Sequence, residues 1–137
     1  MSRQTRVAIN GFGRIGRAFF KLAIEKSELE VVAINDLGNL ENLAYLLKYD
    51  SVYGNYKKDV RVEDSDKLFV DAKHYTFLSE ADPTKLPWGK LDIDIVVEST
   101  GAFESYDKAS IHKLAGAKRV VITAPAKDRE TADAKTV

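Results

Sequence analysis

Short, continuous apolar runs alternate with stretches of helical apolar spacing along most of the chain. Runs of this kind are typical of parallel strands that are buried on both faces. They predict four such strands, at residues 5–10, 30–35, 93–97 and 120–123. The periodic segments between them predict helices over residues 14–26, after a cap at Asn39, and from a cap at Ser105 to about Ala115.

The apolar positions within the helices predict which face each helix buries. In the first helix they are Ile15, Ala18, Phe19, Leu22 and Ala23, which we expect to lie on one face. In the second they are Leu40, Leu43, Ala44 and Leu47, which follow the spacing i, i+3, i+4, i+7.

A different pattern occupies residues 60–77. Apolar and polar residues alternate in three short segments, separated by turn-forming residues such as Glu63-Asp64-Ser65-Asp66. This pattern predicts short antiparallel strands joined by tight turns. The whole order of elements predicts an α/β fold of the Rossmann type, with a doubly wound, mostly parallel sheet and an antiparallel hairpin insertion.

Composition narrows the class of protein further. The 137 residues suffice for one domain, which we expect to span residues 1–137. Lysine plus arginine and aspartate plus glutamate number 21 each, so there is no electrostatic case for nucleic acid or for a membrane as a partner. The polar first residues and the absence of cysteine favour a cytoplasmic location and offer no thiol for catalysis or zinc.

The most informative motif is a glycine-rich turn between the first strand and the first helix. Gly11, Gly13 and Gly16 give G-x-G-x-x-G in the strand–turn–helix context where that pattern is meaningful. The first glycine permits the tight turn, the second lets a pyrophosphate approach the backbone, and the third lets the helix pack closely. The motif predicts a dinucleotide at the start of the helix, although a glycine-rich turn without a ligand is the alternative.

Polar residues end each predicted parallel strand. Asp36 follows the second strand and lies 36 − 11 = 25 positions after the first glycine, near the roughly 20-residue spacing of the carboxylate that binds the adenosine ribose. The alternative is that Asp36 only caps the following turn. Ser99-Thr100-Gly101 and Thr123 end the next two strands. Ligands bind at this edge of doubly wound sheets, so we expect these residues to converge there.

The remaining conspicuous side chains predict packing and not chemistry. His74 and His112 have no partner at sensible spacing, and we expect both at the surface. Trp88 is interpreted as a packing anchor, and the series Tyr45, Tyr49, Tyr53, Tyr56 as core and rim. No catalytic residue and no metal ligand is predicted.

Several motifs together resemble phosphorylating glyceraldehyde-3-phosphate dehydrogenases. They are Asn10-Gly11-Phe12-Gly13-Arg14-Ile15-Gly16-Arg17, Ala33-Ile34-Asn35-Asp36-Leu37, Leu86-Pro87-Trp88-Gly89 and Val96-Val97-Glu98-Ser99-Thr100-Gly101-Ala102-Phe103. The resemblance implies NAD as cofactor. It implies binding by Gly11, Phe12, Gly13, Arg14, Ile15, Gly16, Asn35, Asp36, Ala81, Ser99, Thr100, Gly101 and Thr123.

Two positions depart from the family pattern. Ala81 stands where the family usually has a basic residue along the adenine, and Tyr53 where it commonly has histidine. The resemblance also implies homo-oligomer partners and a catalytic domain that carries the nucleophilic cysteine. This chain does not contain that catalytic domain. The chain alone is therefore expected to be inactive. A self-sufficient nucleotide-binding module and part of the related erythrose-4-phosphate dehydrogenase remain alternatives.

Overall fold

Strands and helices alternate in the computed structural model, which describes residues 4–49, 58–64, 66–100, 111–122 and 134–136. The strands are β1 (Thr5–Asn10), β2 (Leu29–Asn35), β3 (Val60–Glu63), β4 (Lys67–Val70), β5 (Lys73–Leu78), β6 (Ile95–Glu98), β7 (Arg119–Ile122) and β8 (Ala134–Thr136). The helices are α1 (Arg14–Ala23), α2 (Leu40–Tyr49) and α3 (Ile111–Leu114), and a 3-10 turn covers Pro83–Lys85.

The strands form one sheet in the order β3-β4-β5-β2-β1-β6-β7-β8. All neighbours from β5 to β8 run parallel. The chain moves outward from β1 to β2 and β5, then returns to the other side of β1 at β6. The strand order therefore reverses between β1 and β6, and in doubly wound sheets ligands bind at that point. The predicted Rossmann-type α/β fold is confirmed.

The predicted antiparallel segment extends one edge of the sheet. Strand β4 pairs antiparallel with both β3 and β5, and β5 pairs in parallel with β2. The two tight turns place Asp64 at φ 57° and Asp71 at φ 55°. Aspartate tolerates this left-handed conformation better than most residues, which explains the acidic residues between these strands.

Alternate residues of the central strands fill two cores, one on each face of the sheet. Ile9 and Ile34 face a cluster with Phe12, Phe20 and Leu47. Their neighbours in the chain face a second cluster, which consists of Ala8, Ala33, Leu86, Trp88, Ile93, Val96 and Ala117. Burial on both faces explains why these strands are continuously apolar in sequence.

Helix α1 departs from the prediction in its end and in its buried face. It ends at Ala23, and Ile15 and Leu22 are 54% and 66% exposed, while Gly16, Arg17, Phe20 and Ala23 are buried. A Cβ added at Gly16 would overlap the carbonyl oxygen of Gly11. This close approach turns Gly16, and with it positions four and seven residues later, toward the sheet.

Other expectations need correction or lie outside the described residues. Strand β6 begins at Ile95, because Ile93 donates its N–H to the Trp88 carbonyl and joins a turn, although its side chain is buried. Tyr45 and Tyr49 are exposed and pack against each other at the rim. The predicted cap at Ser105, together with Tyr53, Gly101 and Thr123, falls outside the described part of the chain.

Candidate functional site

A cavity of about 370 Å³ opens at the carboxyl ends of β1, β2 and β6, where the strand order reverses. Its volume is within the usual range for ligand sites. The residues that line it are Asn10, Gly11, Gly13, Asn35, Asp36, Leu37, Glu80, Ala81, Leu86, Ser99 and Thr100.

Gly11 makes the turn out of β1 possible for two reasons. Its φ is +103°, in the region that favours glycine. A Cβ there would also lie 2.7 Å from the Thr100 nitrogen and 2.8 Å from the Ser99 carbonyl carbon. The backbones after β1 and β6 therefore touch at Gly11, and this contact forms one wall of the cavity.

Gly13 differs from Gly11, because the fold has room for a side chain at position 13. A Cβ built on it meets nothing within 4 Å, and its φ of −77° suits any residue. Yet Gly13 lines the cavity and is the N-cap of α1. The open space over Gly13 is where a ligand could approach the helix start.

The first turn of α1 supplies backbone donors. The N–H groups of Arg14 and Ile15 belong to the first turn, where helices leave these donors without an intrahelical acceptor, and the helix dipole there favours an anion. Arg14, Ile15 and Gly16 do not themselves line the cavity. Phe12 is fully buried, with its ring edge-on to Phe20 at 5.5 Å. Phe12 thus anchors the loop to the core.

Asp36 lies on the opposite wall and has two structural contacts. One carboxylate oxygen accepts the Phe12 N–H at 2.6 Å, and the other accepts the Gly38 N–H at 2.7 Å. It therefore caps the turn after β2, and it also holds the glycine loop. A carboxylate has about four lone-pair sites, so these two bonds leave capacity for ribose hydroxyls.

Ser99 and Thr100 close the cavity from β6. The Ser99 hydroxyl donates to the Gly11 carbonyl at 2.6 Å, and its N–H donates to the Asn10 carbonyl at 2.8 Å. Thr100 is exposed toward the cavity, while both its N–H and its hydroxyl donate to Glu98.

Beneath these residues lies a buried polar cluster that the sequence interpretation missed. His112, expected at the surface, is fully buried because α3 packs it against Trp88 and Glu98. The Trp88 indole is itself a buried anchor, as predicted, and its N–H donates to His112 Nδ1 at 3.0 Å. Since the indole can only donate, Nδ1 is the acceptor and the proton resides on Nε2, 2.7 Å from Glu98 Oε1.

Glu98 stays ionised in this buried place. Burial by itself raises the pKa of its carboxyl group, but hydrogen bonds from His112, Thr100 and Asn10 together outweigh burial and hold the pKa below its ordinary value. The network continues across the strand ends. Asn10 donates to Glu98 at 2.7 Å, and Asn35 donates to Asn10 at 2.7 Å and to the Glu80 carbonyl at 3.0 Å.

The structure therefore brings most of the predicted residues to one cavity. Gly11, Gly13, Asn35, Asp36, Ala81, Ser99 and Thr100 line it. Phe12, Arg14, Ile15 and Gly16 belong to its supporting loop and helix. The sequence did not predict four of the lining residues, which are Asn10, Leu37, Glu80 and Leu86. Asn10 could have been found, because a polar residue directly precedes the first glycine at the end of a buried strand.

Residues 4–49, 58–64, 66–100, 111–122 and 134–136 contain no group of three or more histidine or acidic side chains placed to hold a metal ion. Among the same residues, no helix combines the length and apolar character required to cross a membrane.

The fold and the cavity together define a dinucleotide-binding domain of the Rossmann class. Residues 5–106 match the family model described as "Glyceraldehyde 3-phosphate dehydrogenase, NAD binding domain", and the chain belongs to this family. Its cofactor is therefore NAD.

Curated relatives agree with the family match. A glyceraldehyde-3-phosphate dehydrogenase of Mycoplasma pneumoniae is 53% identical over 93% of this chain and 38% of its own length. One from Buchnera aphidicola is 54% identical over 90% of this chain and 37% of its own length. Glyceraldehyde-3-phosphate dehydrogenase 2 of Bacillus subtilis is 50% identical over 93% of this chain and 37% of its own length. The chain spans less than two fifths of the length of these relatives.

Proposed function

We propose that this chain binds NAD in the cavity between Gly11, Asp36 and Thr100, as the cofactor-binding part of a phosphorylating glyceraldehyde-3-phosphate dehydrogenase. The glycine loop and the first N–H groups of α1 hold the pyrophosphate, and Asp36 binds the adenosine ribose. Ser99 and Thr100 lie under the nicotinamide side. Gly101 and Thr123, beyond the described residues, are proposed to complete that side.

The observation that carries this proposal is the contrast between Gly11 and Gly13. Gly11 is required by the fold, since a Cβ would meet the Thr100 nitrogen at 2.7 Å. Gly13 has open space around it and a backbone conformation open to other residues. Its lack of a side chain is explained by a ligand that approaches the backbone, as a pyrophosphate does in dinucleotide sites.

The test is calorimetric titration of the chain with NAD, comparing Gly13→Ala with the matched control Gly89→Ala. Gly89 does not line the cavity, and an added Cβ there would make only ordinary contacts, at 3.5 Å or more. We expect both variants to keep their stability within about 1 kcal/mol. We expect only Gly13→Ala to lose NAD affinity, by about tenfold or more. Equal affinities in all three proteins would contradict the proposed site.

Dehydrogenase chemistry is proposed only for a longer protein of which this domain forms part. In the family, a cysteine thiolate attacks the aldehyde, and these 137 residues contain no cysteine. Without that nucleophile the covalent route is closed. We expect no NADH from glyceraldehyde 3-phosphate, NAD and phosphate above a protein-free blank. A catalytic domain, homo-oligomer partners and a cytoplasmic location are proposed by analogy with the family.

A further inference from the structure

The Glu98 carboxylate lies beneath the cavity without lining it, and its side chain is 1% exposed. Four donors from the described residues converge on it. Asn10 Nδ2 and His112 Nε2 each lie 2.7 Å from Oε1. The Thr100 N–H and hydroxyl donate to Oε2 at 3.0 Å and 2.5 Å.

Two of the residues that supply these donors face the cavity. Asn10 and Thr100 both line it, on either side of the point where the strand order reverses. Each has its side-chain orientation set by the bond to Glu98. Because the Thr100 hydroxyl donates its proton to Glu98, the hydroxyl oxygen can take part in any further hydrogen bond only as an acceptor.

His112 restrains the carboxylate from the other side. Its Nδ1 accepts the Trp88 N–H at 3.0 Å, which requires the proton on Nε2 and directs it at Glu98. A protonated imidazolium would place two donors face to face at Nδ1. The bond from Trp88 therefore selects the His112 tautomer whose Nε2–H can donate to Glu98.

The orientation set at Glu98 extends across neighbouring strands. Asn10 donates to Glu98 and accepts from Asn35, whose Oδ1 accepts the Glu80 N–H at 2.9 Å. Glu80 lines the cavity beside Ala81. Because Glu98 is an acceptor, the NH2 group of Asn10 points toward it and the amide oxygen of Asn10 points toward Asn35. The NH2 group of Asn35 in turn points toward that oxygen. The acceptor at position 98 thus matches the orientation of both side-chain amides.

We propose that Glu98 is a positioning residue of the cofactor site, which orients Asn10 and Thr100 toward the bound dinucleotide while His112 and Trp88 hold it in place. This inference rests on the proposed function of the cavity. An amide of the same shape cannot replace the carboxylate, because one of its two ends would become a donor. Either the Asn10 and His112 donors or the Thr100 donors would then face another donor.

The experiment compares Glu98→Gln with Asp94→Asn. Asp94 lies just before β6, at the opposite end from Glu98, and accepts the Arg6 N–H at 2.9 Å and the Lys118 ammonium at 3.0 Å. Both changes remove one carboxylate beside the same strand. We expect Glu98→Gln to weaken NAD binding about five- to thirtyfold, and Asp94→Asn to leave it within about twofold, in samples that circular dichroism shows to be folded.

Two further measurements separate positioning from a general loss of structure. In the unmodified chain without ligand, ¹⁵N spectra should show His112 in the neutral Nε2–H form, which needs no variant. The affinity losses of Glu98→Gln and Thr100→Val should also be less than multiplicative when combined, since Glu98 acts through Thr100.

The outcomes distinguish this inference from the proposed function. If the unmodified chain does not bind NAD, the proposed function is wrong. If the spectra show His112 protonated or in the other tautomer, the arrangement described at Glu98 is wrong. If the unmodified chain binds NAD and Glu98→Gln binds equally well, the positioning role is wrong. Strictly multiplicative losses with Thr100→Val would likewise contradict it.

Discussion

The two ends of the central parallel strands are built in opposite ways. At the amino ends, partly exposed charges pair across strands, as Arg6 does with Glu30 at 3.0 Å. At the carboxyl ends, Asn10, Asn35 and Glu98 are almost fully buried and bonded to one another. Exposed ion pairs contribute little to folding, whereas buried polar groups are costly unless they are satisfied. At the carboxyl ends, each buried polar group therefore needs a hydrogen-bond partner. The cavity lies at this same end of the strands.

The largest expected effect is at Gly11. Gly11→Ala places a Cβ in a left-handed conformation and against the Thr100 nitrogen. We expect a loss of roughly 3 kcal/mol or more in the free energy of unfolding, together with loss of NAD binding. Urea unfolding monitored by circular dichroism measures the first, and calorimetry the second. Stability close to that of the unmodified chain would show that the two loops can separate, contrary to the contact described.

The next effect compares the two histidines. His112→Phe leaves the Trp88 N–H and the Glu98 carboxylate short of a partner inside the protein. We expect it to lower the free energy of unfolding by about 2–3 kcal/mol. The matched change His74→Phe, at an exposed position of β5, should stay within about 0.5 kcal/mol. Similar losses in both variants would mean that burial of His112 carries no special cost.

Asp36 and Glu80 are charged residues that line the cavity, and Asp36 directly follows β2, so removal of the Asp36 carboxylate tests binding more than folding. Its carboxylate would repel the 2′-phosphate of NADP, and we expect the unmodified chain to prefer NAD by about tenfold to a thousandfold. Asp36→Ala should weaken NAD binding and shrink that gap. Asp66→Ala, outside the cavity, is the control. Equal affinity of the unmodified chain for both cofactors would contradict the role of Asp36.

Acid should act on the carboxyl end through Glu98. The pKa of Glu98 is lowered in the folded protein, so its contribution to stability is present above the ordinary pKa of 4.5 and is lost as the pH falls below that value. The free energy of unfolding should therefore fall less steeply below pH 4.5 in Glu98→Gln than in the unmodified chain. Urea unfolding at several acidic pH values measures the slopes. Parallel curves would show that Glu98 titrates alike in both states.

The smallest effect is expected at the amino end. Glu30→Gln removes the ion pair with Arg6. The side chains of Arg6 and Glu30 are 28% and 33% exposed. We expect a loss of no more than about 1 kcal/mol, which salt further reduces. Arg6 keeps its bonds to the Leu91 carbonyl in this variant. A loss as large as that of His112→Phe would remove the contrast between the two ends.

Much of the fold could be predicted because local pattern and topology agree. Continuous apolar runs identified the four central strands, and the glycine spacing identified the turn into α1. The predicted buried face of α1 was wrong, since Ile15 and Leu22 are separated by the same seven positions as the buried residues Gly16 and Ala23. Only the close contact between Gly16 and Gly11 decides which side of the helix meets the sheet.

The sequence by itself determined the class of fold, the family and the place of the cavity that we propose for the cofactor, because these depend on short patterns and on the rule that ligands bind at the carboxyl ends of parallel strands. Tertiary structure alone decided that His112 is buried and that Glu98 collects donors from residues as far apart in the chain as Asn10 and His112. The physical reason is that polar side chains have no periodic signal. Whether such a residue faces water or a buried partner depends on which distant strand or helix packs against it.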